Sequence, residues 1–198
     1  MTPLRAHLTR LCLVIFSLAI GLLTLCGSAA EAQVSAYCMV GLSRYGFSYQ
    51  GDTNFKDDTA SFGGGAFYNF PIHSRLTAGI DGRVLYGPAS YGGTTADVAL
   101  RVGFVPTRVR LRPYFEIGGG VVSSVSNPGF APQRITNGAA EFLGGLDLRL
   151  TDRVDLRAVE WGAAAGVSNN GPTSGVGFLE AGLVYHFHPA EPDSKPKP

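Results

Sequence analysis

Between Leu76 and Tyr86 the side chains sort by parity: Leu76, Ala78, Ile80, Val84 and Tyr86 share one, and Thr77, Gly79, Asp81 and Arg83 take the other. A period of two is the spacing of a β-strand with one apolar and one polar face, and it does not match a helix, whose faces repeat every 3.6 residues. The pattern returns from Ala96 to Phe104 and from Ala140 to Leu150, where Phe142, Leu146, Leu148 and Leu150 oppose Glu141, Gly145, Asp147 and Arg149. It returns again where Leu179, Ala181, Leu183, Tyr185 and Phe187 oppose Glu180, Gly182 and His186. Segments Ala36 to Tyr49, Ser61 to Phe70, Pro113 to Ser123 and Val154 to Ala164 are rich in β-formers or glycine and bounded by turn residues. The sum predicts an all-β chain of about eight strands, folded as a closed antiparallel up-and-down barrel.

Alternation alone does not say which face looks inward; size does. An eight-stranded barrel has room inside only for its own side chains. Gly79, Gly103, Gly118, Gly145 and Gly182 lie on the charged face, where they leave space beside long arginines, whereas the other face carries Leu, Ile, Val and Phe at nearly every step. Charged residues make up only 16% of the chain against roughly 25% in soluble domains, so something other than water must cover part of the surface. A transmembrane barrel with a polar interior and a lipid-facing exterior is expected. Tyr45, Phe62, Tyr86 and Trp161 near one level, and Phe70, Phe104, Phe115 and Tyr185 near the other, would form its interfacial girdles.

On the inward face the acids Asp81, Asp97, Glu116, Glu141, Asp147 and Glu180 would meet the bases Arg83, Arg101, Arg149 and Arg157. Charges removed from bulk water must pair, so these residues are expected to form a salt-bridge network. A chain of buried charges can serve as an ion path, but a lumen this narrow favours a solid plug with no open pore. In the seventh strand Asp155 and Arg157 share a parity that Glu160 does not, which predicts a β-bulge between them.

Residues 1–32 stand apart from the fold. Arg5, His7 and Arg10 precede an apolar run from Leu11 to Leu25, followed by small residues and Ala30-Glu31-Ala32, the layout of a secretory signal peptide cleaved after Ala32. The run is too short to cross a bilayer as a helix, which takes about 20 residues. Leu23-Thr24-Leu25-Cys26 suggests a lipobox, yet bulky Leu25 stands where a small residue belongs. Cleavage removes Cys12 and Cys26 and leaves Cys38, so no internal disulfide is expected. The barrel would occupy 33–187. The Pro- and Lys-bearing stretch 188–198 reads as a disordered periplasmic tail. The connections read as long over Gln50 to Thr59 and Ser124 to Thr136, medium over Gly87 to Gly93 and Asn169 to Ser174, and short over Pro71 to Ser74, Pro106 to Arg110 and Thr151 to Arg153. Long connections on one side and short on the other match loops outside the cell and turns in the periplasm.

The last strand, Glu180-Ala181-Gly182-Leu183-Val184-Tyr185-His186-Phe187, resembles the β-signal recognised by the outer-membrane assembly machinery, carried by Glu180, Gly182, Tyr185 and Phe187. With the strand count and Pro113-Tyr114-Phe115-Glu116 ahead of a glycine run, residues 33–187 resemble the OmpA/OmpX-like small outer-membrane β-barrel family. The resemblance implies residence in the bacterial outer membrane, contact with its lipid and lipopolysaccharide, insertion by the assembly machinery and a monomeric state. It departs from the family in continuing past Phe187, and eleven residues cannot form a peptidoglycan-binding domain.

Other functions find little in the residues. A net charge of +1 gives no basic stripe for nucleic acid. Gly63 to Gly65 and Gly118 to Gly120 lack the lysine and helix of a phosphate loop and read as glycine relief in a curved sheet. His186 and His188 have the spacing of two metal ligands without a third. No cofactor, metal or catalytic residue is expected. A lipid A-modifying enzyme needs a base near the outer leaflet, and the mature histidines, His73, His186 and His188, all fall at the other end. A soluble lipocalin-like carrier remains the rival with the same strand count.

Overall fold

The computed structural model describes residues 33–49, 52–88, 92–106, 109–126, 133–167 and 173–187. The expected leader and tail, 1–32 and 188–198, lie outside them. Eight strands follow in order: β1 (Gln33–Tyr49), β2 (Asp52–His73), β3 (Leu76–Tyr86), β4 (Gly93–Phe104), β5 (Leu111–Ser126), β6 (Gln133–Arg149), β7 (Val154–Val167) and β8 (Thr173–His186). Each pairs antiparallel with its sequence neighbour, and β8 closes the barrel on β1 from Ser35↔His186 to Ser48↔Thr173. Closure matters because a strand edge inside hydrocarbon would leave backbone groups without any partner.

Connections 74–75, 105–110 and 150–153 lie at the end that carries both described termini, the turn end; 50–51, 87–92, 127–132 and 168–172 lie at the loop end. Two expected boundaries are corrected. Gln50 to Thr59 is not a long loop: β2 starts at Asp52 and pairs back to Tyr49, so the hairpin itself extends. The connection expected over Ser124 to Thr136 shrinks to 127–132, because β5 and β6 pair out to Ser126↔Gln133. Both extensions are polar strands held by backbone bonds, and they carry no apolar alternation to read. The contrast of short turns and long loops is therefore weaker than expected: 105–110 is longer than 50–51.

The bulge in β7 is present. Leu146 pairs with Val159 and Asp147 with Arg157, while on the other side Arg157 pairs with Gly182 and Glu160 with Glu180. One extra residue enters β7, Ala158 and Val159 both face outward, and Glu160 returns to the interior at 1% exposure.

Outward positions form an apolar band. Along β5 it runs from Leu111 through Phe115 and Ile117 to Val121, ten residue steps. That is roughly 33 Å of strand at ~3.3 Å per residue, or about 25 Å of height at a tilt of ~40°, the band height of a membrane barrel. Val40, Leu42, Val98, Leu100 and Leu179 continue it around the cylinder. Among the described residues, no charged side chain faces outward between the rims. Exposed aromatics pair edge-on at Phe62–Tyr86 (5.2 Å), Phe142–Trp161 (6.3 Å) and Tyr185–Phe187 (5.4 Å). Tyr45 is a correction to the expected girdle: it points inward, and its hydroxyl donates to the Gly93 carbonyl at 3.1 Å.

Candidate functional site

Inward parity on β3 to β7 brings three arginines into the centre of the lumen, where each must find several carboxylates because no bulk water reaches it. Arg83 on β3 pairs with Asp97 (3.5 Å), with Glu141 and with Glu160 (2.7 Å). Glu160 also takes Arg157 at 2.9 Å, and Arg157 reaches Asp147 at 3.2 Å. Asp147 in turn takes Arg101 at 3.0 Å, and Arg101 holds Glu116 at 2.5 Å with Asp81 at 3.8 Å. Glu160 and Asp147, each shared by two guanidiniums, join these pairs into one chain crossing five strands. Arg157, at its middle, has no exposed surface.

Aromatic rings fill the remaining faces of the arginines. Arg101 lies between Tyr114 (3.6 Å) and Phe67 (4.3 Å), Arg157 against Tyr37 (4.2 Å), and Arg83 over Phe178 (4.5 Å). Such stacks hold a desolvated guanidinium in place while its nitrogens serve the carboxylates. The tyrosines also donate, Tyr37 to Asp81 at 2.7 Å and Tyr114 to Glu160 at 2.5 Å. Gly65 and Gly145 are the register partners of Tyr37 and Tyr114, and a Cβ at either would meet the facing phenol.

Two residues expected in the network stand outside it. Arg149 ends β6 and turns to Asp152 at 2.7 Å, three residues along in the same turn, where a local partner is nearer than any lumen carboxylate. Glu180 is buried but accepts from Ser61 at 2.9 Å and has no ion pair among the described residues. Asp81, Arg83, Asp97, Arg101, Glu116, Glu141, Asp147 and Arg157 are brought together. Glu160, missing from the expected set, is an essential link, and the charge parity that implied the bulge was its signal.

The interior is not polar throughout. Toward the loop end Tyr45, Leu85, Val122, Leu143, Val176 and Phe178 pack into an apolar cluster, and toward the turn end Tyr37, Met39, Phe67 and Val184 form a smaller one. Charges occupy the layer between. Below it a cavity of about 50 Å³ touches Asn69, Arg101, Arg112, Tyr114, Asp155 and His186, enough for a few waters.

At the turn end the sequence hid a second polar group. Ser35 Oγ lies 2.7 Å from His186 Nδ1, His186 Nε2 lies 3.0 Å from Asp155, and Arg112 pairs with Asp155 at 3.1 Å. With the ring proton on Nε2, Ser35 donates to the imidazole and the imidazole to the carboxylate. A nucleophile, base and acid stand in that order in acyl-transfer enzymes. Here Ser35 has no exposed surface, so no acyl group can approach its oxygen. The arrangement instead ties the first strand to the last and to its neighbour. His186, Ser35 and Asp155 share inward parity on β8, β1 and β7, the one hint available beforehand. At the loop end, outside the apolar band, Arg44 binds Asp58 at 2.5 Å, and that hydrogen bond holds the Asp58 carboxyl below its usual range.

No protein-family model matches the chain, and no curated protein matches it in sequence. Among solved structures it is similar to Neisserial surface protein A, at 15% identity and a TM-score of 0.49, over 77% of this chain and 97% of that one. It is also similar to the N-terminal β-barrel domain of Pseudomonas aeruginosa OprF, at 14% identity and a TM-score of 0.48, over 75% and 97%. The attachment invasion locus protein Ail of Yersinia pestis matches at 10% identity and a TM-score of 0.48, over 76% and 98%. The chain's own strand order, closure and apolar exterior make it an eight-stranded antiparallel barrel of the outer-membrane type.

Proposed function

We propose that this is an integral β-barrel protein of the bacterial outer membrane, with a plugged, non-conducting lumen and a structural or surface-interaction role. The observation that carries the reading is the division of side chains by the wall: exposed Leu, Ile, Val and Phe outside, and arginines and carboxylates at a few per cent exposure inside. A lipid-facing surface has that composition, and a water-facing one does not. A soluble ligand carrier would need the reverse, an apolar pocket within and a charged exterior.

The contents of the cylinder support the plug. The network, its stacked rings and the loop-end cluster occupy successive levels, and the cavity beneath them holds about 50 Å³. Glu180, Gly182, Tyr185 and Phe187 at the end of β8 supply the signal for the assembly machinery. Tyr185 and Phe187 present their rings outward, 42% and 53% exposed, where a receptor can reach them. The cleaved leader, the periplasmic tail, contact with lipopolysaccharide and a monomeric state belong to the same reading, with the turn end in the periplasm. No catalytic role is assigned, since Ser35 is sealed beneath His186.

Cell fractionation and gel migration test this together. The protein should collect with the outer membrane and run faster unheated than boiled. A chain found wholly in soluble fractions with unchanged migration contradicts the reading. In planar bilayers the purified barrel should give no discrete conductance steps, and steady channels would remove the plug.

A further inference from the structure

All three turns at the end carrying the termini finish in the same way. Arg75 precedes Leu76 at the start of β3, Arg110 precedes Leu111 at the start of β5, and Arg153 precedes Val154 at the start of β7. In each, the arginine's carbonyl accepts a backbone hydrogen bond from the far side of the next hairpin: Val105 N to Arg75 O at 2.9 Å, Arg149 N to Arg110 O at 2.9 Å, and His186 N to Arg153 O at 2.8 Å. One fixed bond thus sets three arginines at equivalent places around the rim. Leu76 and Leu111, 40% and 37% exposed, are the first residues of the lipid-facing band on their strands. The arginine before each therefore stands at the membrane edge of its strand, at headgroup height, with exposed Val109 beside Arg110 and Ile72 near Arg75.

These side chains are exposed and have no carboxylate partner among the described residues. The acids nearby are already taken: Asp152 by Arg149, and Asp155 by Arg112 and His186. At the opposite rim the exposed Arg44 is neutralised by Asp58, and the exposed Arg134 donates to the Ser123 hydroxyl at 3.2 Å. The chain as a whole carries only +1, so a rim holding Arg75, Arg110 and Arg153 without counter-charge is a local concentration of positive charge.

From this repeated geometry we propose that Arg75, Arg110 and Arg153 form a collar that binds the phosphodiesters of anionic phospholipids in the leaflet at the turn end. The inference rests on the membrane reading above and adds a lipid specificity to it. A lone exposed arginine is ordinarily a solvated charge. Three at one register, two of them directly ahead of exposed residues of the greasy band, match a charged layer along this rim of the barrel. Basic residues beside an anionic surface each contribute about a fivefold preference for it at moderate salt.

The test uses the full mature chain refolded into vesicles of phosphatidylcholine alone, or with a third of it replaced by phosphatidylglycerol. Heat-modifiable migration reports whether the barrel has formed, and the urea midpoint of unfolding reports the lipid preference. Wild type should show a higher midpoint with phosphatidylglycerol, with the difference declining as salt rises. The triple variant Arg75→Gln, Arg110→Gln, Arg153→Gln should lose most of that difference while still forming the barrel, and the matching triple lysine variant should keep it. Equal wild-type midpoints in the two lipids overturn the collar, as does a glutamine variant that keeps the full difference. So does a response that follows Arg44→Gln with Arg134→Gln at the other rim. A chain that forms no heat-modifiable barrel in either lipid overturns the membrane reading, and the collar with it.

Discussion

Tyr114 and Gly145 are register partners on β5 and β6, and the phenol of Tyr114 occupies the space where a Cβ at position 145 would stand. From that seat the ring stacks on Arg101 and its hydroxyl reaches Glu160 at 2.5 Å, so one glycine supports two links of the charge network. Gly145→Ala should push the ring off its seat and lower stability by about 1–3 kcal/mol, the usual cost of overpacking. Urea unfolding in detergent micelles measures it. An unchanged midpoint would mean that the ring has other room.

Arg157 links Glu160 to Asp147 with no surface exposed. Arg157→Met keeps an unbranched apolar stem but removes the guanidinium and leaves two buried carboxylates short of a partner, which costs about 3–5 kcal/mol. The same substitution at Arg149, whose partner Asp152 lies in the turn, should change stability by no more than about 1 kcal/mol. A smaller loss at 157 than at 149 would contradict the network's geometry.

Leu100 is 64% exposed, midway along β4 on the outer face. Leu100→Arg places a charge opposite acyl chains and should cost about 2–4 kcal/mol in lipid vesicles. In a water-facing wall the same change would be nearly neutral, so unfolding in lipid separates the two environments.

Phe187 follows β8, and its amide donates to Val34 at 3.1 Å while its ring stands outward beside Tyr185. Phe187→Ala should reduce the amount of assembled barrel in cells several-fold. The purified variant should still refold in micelles, because no buried contact is lost. Equal cellular yield would detach the terminal aromatic from assembly.

Most of the fold was legible because lipid and a filled lumen impose opposite demands on alternate residues, and strands such as β3 record both. Even the bulge could be read, since Asp155, Arg157 and Glu160 reach one interior only if β7 gains a residue. Legibility failed where alternation gives no contrast. The polar extension of β2 over 52–59 reads as a loop, and Leu85, Val122, Leu143 and Phe178 share the parity of the charges yet build an apolar layer. Arg149 has inward parity but sits where a turn offers a closer acid. The Ser35–His186–Asp155 tie depends on which strands meet at closure, information that no local pattern contains.

Trp161 is the single tryptophan of the chain, 56% exposed on the outer wall against Phe142. Its fluorescence in vesicles made with brominated lipids asks directly whether that wall faces acyl chains. With the wall against lipid, emission is blue-shifted, strongly quenched by the brominated chains and little affected by iodide in the buffer. Emission at the wavelength of tryptophan in water, quenched by iodide and indifferent to the lipid, would contradict it.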